Sequence, residues 1–206
     1  MQERPDITIS MFNNDAGFIT DIKDGSKKIL EIHFSKFKRL QYNRKGWWRW
    51  VDVWRTKQDE RIARRFDRFV VLTEEDKANW GDMDNICVIP NANTFSTKQT
   101  SLLNTRKVIS IGRYSYQKGF DRLIKAWKTV NRVCPEWTLD IIGEGEEKSK
   151  LQSLIYHENL DGSVRLMPAT SDIINVYLGA SVVAMSSHYE GLPMVLLEAQ
   201  SLAFQS

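Results

Sequence analysis

Apolar and polar residues alternate along this chain in a pattern that predicts several strands, each followed by a helix. Short apolar runs with β-branched residues are typical of buried strands. They occupy residues 7–12, 28–34, 69–72, 86–89, 107–111, 137–142, 163–167 and 182–185. In other segments apolar residues recur every three or four positions, as in the helix predicted from Phe120, Leu123, Ile124, Trp127 and Val130. This alternation predicts right-handed βαβ units and therefore an α/β protein with parallel sheets.

Capping residues mark several helix starts. Thr73 precedes three acidic residues, which predicts an N-cap and a first turn that suits the helix dipole. Ser171 is predicted to cap a helix that runs through Leu178. Residues 194–197 are apolar on every side, so the helix that follows Pro193 is predicted to be buried.

A polar segment separates two α/β halves. Residues 94–105 are rich in Ser, Thr and Asn, which is typical of a linker. We therefore predict one domain over residues 1–93, a linker over 94–106 and a second domain over 107–206.

Composition and cysteine usage exclude several classes of protein. The 206 residues are 42% hydrophobic and 27% charged, as is ordinary for a globular protein. No apolar run is long enough to cross a bilayer, and the N-terminus lacks the core of a signal peptide. Cys87 and Cys134 lie in separate segments, and the histidines show no metal-ligand spacing. We therefore expect free thiols, no metal site and a cytoplasmic location.

Positive charge is concentrated between residues 36 and 68, where twelve Lys or Arg accompany four Asp or Glu. Trp47, Trp50 and Trp54 have the i, i+3, i+7 spacing of one helical face. Trp interleaved with basic residues is typical of a surface for anionic lipid. The alternative is an amphipathic helix with aromatic contacts to its own core and a basic face in solvent. No nucleic-acid-binding motif accompanies the charge, so we expect no nucleic-acid partner.

Residues 186–201 carry the most specific candidate chemistry. A predicted strand ends, a turn with Gly191 follows, and Pro193 begins a helix. Unpaired N–H groups and the positive dipole end at a helix start suit a diphosphate. Glu190 and Glu198 could accept hydrogen bonds from sugar hydroxyls on either side of it. The alternative is one capping glutamate and one ion-paired glutamate.

Two further strand ends carry candidate residues. After strand 107–111, Gly112 lets the backbone approach a ligand, and Arg113 and Lys118 place two cations nearby. The alternative is a loop with two exposed basic residues. His33 lies at the end of strand 28–34, where open α/β sheets bind ligands, although solvent or backbone would also satisfy it.

The Gly-x-Gly pattern of Gly143 and Gly145 does not complete a dinucleotide-binding loop. The third glycine is absent, and three neighbouring acids would repel a pyrophosphate. We therefore exclude an oxidoreductase.

Residues 190–199, Glu-Gly-Leu-Pro-Met-Val-Leu-Leu-Glu-Ala, resemble the signature of retaining glycosyltransferase family 4, whose members have the two-domain GT-B fold. Gly-Arg…Lys-Gly at 112–119, Ile-Pro-Asn at 89–91 and Glu-Ile-His-Phe-Ser at 31–35 resemble further elements of that family. Ala92-Asn93 departs from it, because the family usually has Pro there. The resemblance implies a GT-B-like α/β fold with Rossmann-type parallel sheets in two domains. Both are expected to be incomplete, since opening and closing elements of the family are missing.

The resemblance also implies roles for individual residues. Glu190 would orient the donor sugar and His33 would lie on the acceptor side, which makes them the catalytic candidates. Glu198 would hold the ribose of the donor, and the Met167–Ala169 loop, with Met167 and Pro168 as its donor-binding residues, would lie against the base mostly through backbone groups. The residues implied for the donor diphosphate are Gly112, Arg113, Lys118, Gly191, Leu192, Pro193 and Met194.

The implied enzyme transfers a hexosyl-type sugar, with retention, from a donor such as a UDP- or GDP-sugar to a hydroxyl of a glycan or lipid-linked acceptor. No metal or cofactor is implied. Family members often build lipopolysaccharide or surface polysaccharide at the cytoplasmic membrane, so peripheral association with the inner face of that membrane is expected. The alternatives are a catalytically incomplete nucleotide-sugar-binding fragment and a sugar-nucleotide epimerase of the same architecture.

Overall fold

The computed structural model describes residues 4–37, 39, 46–92 and 99–203, and it divides into two compact units. The first unit comprises Met1–Ala92 with Tyr189–Leu192, and the second comprises Asn93–His188 with Pro193–Ser206. Parts of the predicted basic segment (residues 38 and 40–45) and of the predicted linker (residues 94–98) lie outside the described residues. The predicted domain limits stay predictions.

Four parallel strands form the sheet of the first unit, in the order β1-β2-β3-β4. They are β1 Ile7–Ser10, β2 Lys27–Glu31, β3 Arg68–Val71 and β4 Ile86–Val88, with α1 Trp47–Ala63 after β2 and α2 Glu74–Trp80 after β3. Leu30 and Phe69 of the strands pack with Ala63 and Trp80 of the helices in one buried cluster. The Thr73 hydroxyl accepts a hydrogen bond from the Asp76 N–H at 3.0 Å, which confirms Thr73 as the N-cap of α2.

The second unit is a parallel sheet with helices on both faces. Its strands are β5 Lys107–Ile111, β6 Thr138–Ile142, β7 Val164–Met167 and β8 Val182–Val183. Its helices are α3 Phe120–Val133, α4 Lys148–His157, α5 Ile173–Leu178 and α6 Met194–Ala203. Val108 packs in a cluster with residues of α3 and α4, whereas the next residue, Ile109, packs with residues of α5 and α6. Successive residues of a strand point to opposite faces, so one apolar run supplies both layers.

The strand order of the second unit, β7-β6-β5-β8, contains a reversal. The chain moves outward from β5 through β6 to β7, and then returns to place β8 on the other side of β5. Open α/β sheets bind ligands beyond the carboxyl ends of the strands at such a reversal. A ligand site is therefore expected at the loops that follow β5 and β8.

Three local predictions for the second unit are wrong. The strand predicted at 182–185 has only two residues, and Val182 and Met185 are exposed, because β8 lies at the edge of the described sheet and pairs only with β5. Helix α6 is half-buried rather than buried on every side, because residues 194–199 are all partly exposed although Val195, Ala199 and Leu202 pack with residues of α5. The N-cap of α5 is Asp172 rather than Ser171, and the Asp172 N–H donates to the Thr170 hydroxyl.

Candidate functional site

The loops that follow the neighbouring strands β5 and β8 contact each other in the second unit. The Ser186 hydroxyl donates to the Lys118 carbonyl at 3.0 Å, and the His188 N–H donates to the Gln117 carbonyl at 2.7 Å. The rings of Tyr116 and His188 stack with their centroids 4.3 Å apart. The structure therefore joins the loop that carries Lys118 to the beginning of the 186–201 stretch.

Gly119 makes this close approach possible. Its φ is 60°, the left-handed region that glycine adopts readily, and helix α3 begins at the next residue. A Cβ at Gly119 would lie 2.3 Å from the Ser186 carbonyl oxygen. Any other residue here would push the two loops apart.

Three of the residues predicted to bind the donor diphosphate, Gly112, Arg113 and Lys118, lie in the loop that follows β5. The aliphatic part of Lys118 lies close to Gly112. A Cβ at Gly112 would come within 2.9 Å of Lys118 Cε, so glycine leaves room for this side chain. The Arg113 side chain is mostly exposed, and its guanidinium forms an ion pair with Glu146 at 3.1 Å. The Glu146 backbone N–H and the Arg113 charge hold the pKa of the Glu146 carboxyl below its usual range. An acid that was expected to repel phosphate is thus the present partner of Arg113.

The Gly-x-Gly pattern has a packing role at the same edge of the sheet. A Cβ at Gly143 would lie 1.9 Å from the Gly112 carbonyl oxygen, and a Cβ at Gly145 would lie 2.4 Å from that of Tyr114. Side chains at these positions would separate the loops that follow β5 and β6. Close backbone packing therefore accounts for glycine at positions 143 and 145, and no bound dinucleotide is needed to account for the pattern.

Tyr114 is a structural residue of this edge that the sequence analysis missed. It is completely buried, and its hydroxyl lies 2.8 Å from the Ile141 carbonyl and 2.6 Å from the Met167 carbonyl. Burial raises the pKa of Tyr114 to about 12, and the Glu144 carboxylate acts in the same direction. One side chain of the β5 loop therefore links the ends of β6 and β7. An aromatic residue directly after Gly-Arg is the only sequence signal for it.

Tyr177 is a second missed residue, and it positions Glu198. The Tyr177 hydroxyl, on α5, donates to the Glu198 carboxylate, on α6, at 2.7 Å. Burial, together with this hydrogen bond, raises the pKa of Tyr177. Glu198 is thus held by a neutral hydroxyl rather than by the cation that the ion-pair alternative requires. A carboxylate has about four acceptor positions, so this bond leaves others for a ligand.

The predicted base-binding residues line a cavity of about 400 Å³ in the second unit. Met167 and Pro168 contribute to its wall, together with Ile142 and Val176. The Met167 carbonyl already accepts a hydrogen bond from the Gly143 N–H at 3.0 Å. Met167 therefore belongs both to the wall of the cavity and to the strand ends that the Tyr114 hydroxyl links.

Of the remaining predicted residues, His33, Glu190, Gly191 and Leu192 belong to the first unit, and Pro193 and Met194, at the start of α6, belong to the second. His33 lies two residues beyond the end of β2, and its Nε2 lies 2.8 Å from Glu31 Oε1. Gly191 approaches it so closely that a Cβ there would lie 2.6 Å from the His33 carbonyl oxygen. Glu190 is half-buried and makes a polar contact. The structure thus brings His33 and Gly191 together in one unit.

The described residues form neither a cluster of metal ligands nor a membrane-spanning helix. Among them, no group of three or more His, Cys, Asp or Glu side chains is arranged to hold a metal ion. No helix within the described part of the chain combines the length and apolar character that spanning a bilayer requires.

Curated relatives of this chain are named glycosyltransferases. An uncharacterized glycosyltransferase of Haemophilus influenzae is 35% identical over 139 residues, which cover 66% of this chain and 39% of that protein. The amylovoran biosynthesis glycosyltransferase AmsD of Erwinia amylovora is 37% identical over 147 residues, which cover 66% and 41%. The chain therefore spans about two fifths of the length of these relatives.

Solved structures share the fold. The crystal structure of an S. aureus TarM variant with fondaparinux, α-GlcNAc-glycerol and UDP has a TM-score of 0.74 and 22% identity, and the match covers 89% of this chain and 38% of TarM. This likeness confirms the predicted GT-B-like fold class. The family model described as glycosyl transferases group 1 matches residues 92–204, which is more than half of the chain. The chain therefore belongs to the glycosyl transferases group 1 family.

Proposed function

We propose that this chain is part of a retaining family 4 glycosyltransferase that uses a UDP- or GDP-sugar in the synthesis of a surface polysaccharide or lipopolysaccharide. The observation that carries the proposal is the contact between the β5 and β8 loops at the strand-order reversal. The name of one relative, AmsD, supports the proposal because that protein is a glycosyltransferase of amylovoran biosynthesis. The structural neighbour TarM supports a nucleotide-sugar donor because it was crystallised with UDP. The acceptor is a glycan or a lipid-linked glycan at the inner face of the cell membrane.

The donor diphosphate is bound by Arg113, Lys118 and the start of α6. The Arg113–Glu146 ion pair is solvent-exposed and therefore contributes little to stability, so a diphosphate can replace Glu146 as the partner of the guanidinium. Gly112 and the residues from Gly191 to Met194 offer backbone to the same anion. These groups stabilise the charge that grows on the leaving diphosphate in the transition state.

Carboxylates and backbone groups bind the rest of the donor. Glu198, fixed by Tyr177, accepts hydrogen bonds from the ribose hydroxyls, and Glu190 orients the hydroxyls of the transferred sugar. The base lies against the Met167–Ala169 loop, mostly through backbone groups. During transfer the bond between the anomeric carbon and the diphosphate breaks, and a bond to the acceptor oxygen forms on the same face. The acceptor proton leaves with the diphosphate, and His33 acts on the acceptor side.

Nucleotide binding tests this proposal directly. A thermal-shift screen with UDP, GDP and ADP identifies the base, and calorimetry then compares variants with the parent protein. Arg113→Ala and Glu198→Ala should each weaken nucleotide binding by about 1–3 kcal/mol. Matched controls are Arg132→Ala, at the exposed end of α3, and Glu74→Ala, at the exposed start of α2. Unchanged affinity in both site variants would remove the site assignment.

Turnover separates the proposal from its alternatives. A catalytically incomplete fragment would bind nucleotide without transferring or hydrolysing the donor sugar. An epimerase would release an epimerised sugar with no acceptor present, and neither the relatives' names nor the site geometry favours that alternative.

A further inference from the structure

Helix α1 has an unusual arrangement of its polar and apolar faces. A helix that packs on a core normally buries its apolar residues and exposes its charged ones. The buried positions of α1 are instead Asp52, Thr56, Asp59 and Ala63. Its tryptophans are exposed, with exposed fractions of 64% for Trp47, 46% for Trp48, 78% for Trp50 and 59% for Trp54. The alternative in which these rings contact the domain core is therefore wrong.

The acidic and basic side chains of α1 are divided between its inner and its exposed face. Asp59 pairs with Arg39 at 3.1 Å, and Glu60 pairs with the nearly buried Lys36 at 2.5 Å. Asp52, the third acid of the helix, is 3% exposed. The exposed basic residues of the helix are Arg49, Arg55, Lys57 and Arg61. The helix thus turns its acids inward and presents tryptophan and positive charge to solvent.

We propose that this exposed face of α1, called here the Trp–basic face, binds an anionic lipid surface. Indole rings favour the boundary between water and lipid, because one end is apolar and the ring N–H is polar. Lys and Arg are attracted to acidic headgroups, and each such residue near the surface raises binding about fivefold. A helix with tryptophan and basic side chains on its outer face can lie in the plane of the interface.

The charge and shape of this face favour lipid over other partners. A single-stranded nucleic acid needs a basic groove that follows its backbone, whereas this face is the convex side of one helix. A cluster of four exposed tryptophans is larger than the scattered apolar residues of an ordinary surface. Membrane binding goes beyond the proposed sugar transfer and does not depend on the donor site.

Vesicle co-sedimentation of the full chain tests this binding. We expect the protein to sediment with mixed phosphatidylglycerol–phosphatidylcholine vesicles and much less with pure phosphatidylcholine. Binding should fall between 0.1 M and 1 M salt, because the screening length shrinks from about 10 Å to about 3 Å. Trp50→Ser with Trp54→Ser should lower the partition coefficient about tenfold. Arg55→Gln with Lys57→Gln should lower it roughly 25-fold and reduce its salt dependence.

Matched variants elsewhere on the surface control for general effects. Tyr156→Ser removes an aromatic ring that is 76% exposed on α4, and Lys125→Gln with Arg132→Gln removes two exposed charges from α3. Both should leave the partition coefficient unchanged. Circular-dichroism melting checks that all variants are folded, which is expected because the replaced side chains are exposed.

Four results would overturn the proposal. The first is equal binding to pure phosphatidylcholine vesicles, and the second is unchanged vesicle binding of the Trp50/Trp54 variant. The third is binding of a single-stranded oligonucleotide that is tighter than vesicle binding and requires the same tryptophans. The fourth is a dimer in sedimentation equilibrium that the Trp50/Trp54 variant abolishes, because the face would then bind a second copy of the chain.

Discussion

Replacing Gly119 by alanine tests whether the contact between the β5 and β8 loops shapes a nucleotide site. Gly119 has a φ of 60°, and a residue with a Cβ costs about 1–2 kcal/mol in this left-handed region. The new Cβ would also lie 2.3 Å from the Ser186 carbonyl oxygen, which must recede by 0.7 Å to reach even 3.0 Å. An extra carbon forced into packed structure costs about 1–3 kcal/mol.

These two costs predict that Gly119→Ala lowers the free energy of unfolding by about 2–5 kcal/mol. In a chain of 206 residues this corresponds to a melting temperature roughly 4–20 °C lower. If the loops separate to relieve the clash, Ser186 and His188 move with the segment that leads into α6. We therefore expect nucleotide affinity to fall by about tenfold or more, since binding groups must be placed to well within 1 Å.

Differential scanning fluorimetry measures the melting temperature, and calorimetry with the nucleotide from the thermal-shift screen measures affinity at a temperature where the variant is folded. Gly162→Ala is the matched control, because nothing lies within 4 Å of a new Cβ there and its φ is not positive. A Gly119→Ala protein that melts like the parent would refute the steric reasoning. A destabilised variant with parental nucleotide affinity would refute the link between loop contact and binding.

Three further predictions follow from the hydrogen bonds of single side chains. Tyr114→Phe should lower the free energy of unfolding in urea by about 1–2 kcal/mol, because the hydroxyl shared between the Ile141 and Met167 carbonyls is lost. The folded protein keeps the Tyr114 proton up to a pKa of about 12, whereas the unfolded chain releases it near pH 10. Stability should therefore fall as pH rises between these values, and parallel pH profiles for parent and variant would contradict this role. Tyr177→Phe should weaken nucleotide binding by about 0.5–1.5 kcal/mol in calorimetry, with Tyr156→Phe as an exposed control, since Glu198 loses its positioning bond. Thr73→Ala should cost about 1 kcal/mol of stability and Thr73→Ser much less, because only the hydroxyl caps α2.

The sequence by itself determined the features that depend on neighbouring residues. Short apolar runs that alternate with segments of three- to four-residue apolar spacing predicted parallel α/β sheets. The spacing of apolar residues is readable because it follows from which faces of a strand or a helix are buried. The Thr73 cap was predictable because its bond to the Asp76 N–H spans three residues. The strand 107–111 was predicted with the bounds that the structure shows, since Val108, Ile109 and Ile111 place apolar side chains on both faces, as a strand covered on both sides requires.

The tertiary structure alone decided which distant groups meet. Tyr114 reaches carbonyls 27 and 53 residues away, and Tyr177 reaches a glutamate 21 residues away, and no local period encodes either partner. The sequence also did not decide whether the α1 tryptophans face the core or solvent, because the helical spacing of Trp47, Trp50 and Trp54 fits a buried face as well as an exposed one. Packing chose the exposed one, since Arg39 and Lys36 neutralise acids on the inner side of α1. Long-range contacts depend on which faces and loops the fold brings together, and that is a property of the folded chain rather than of any segment of it.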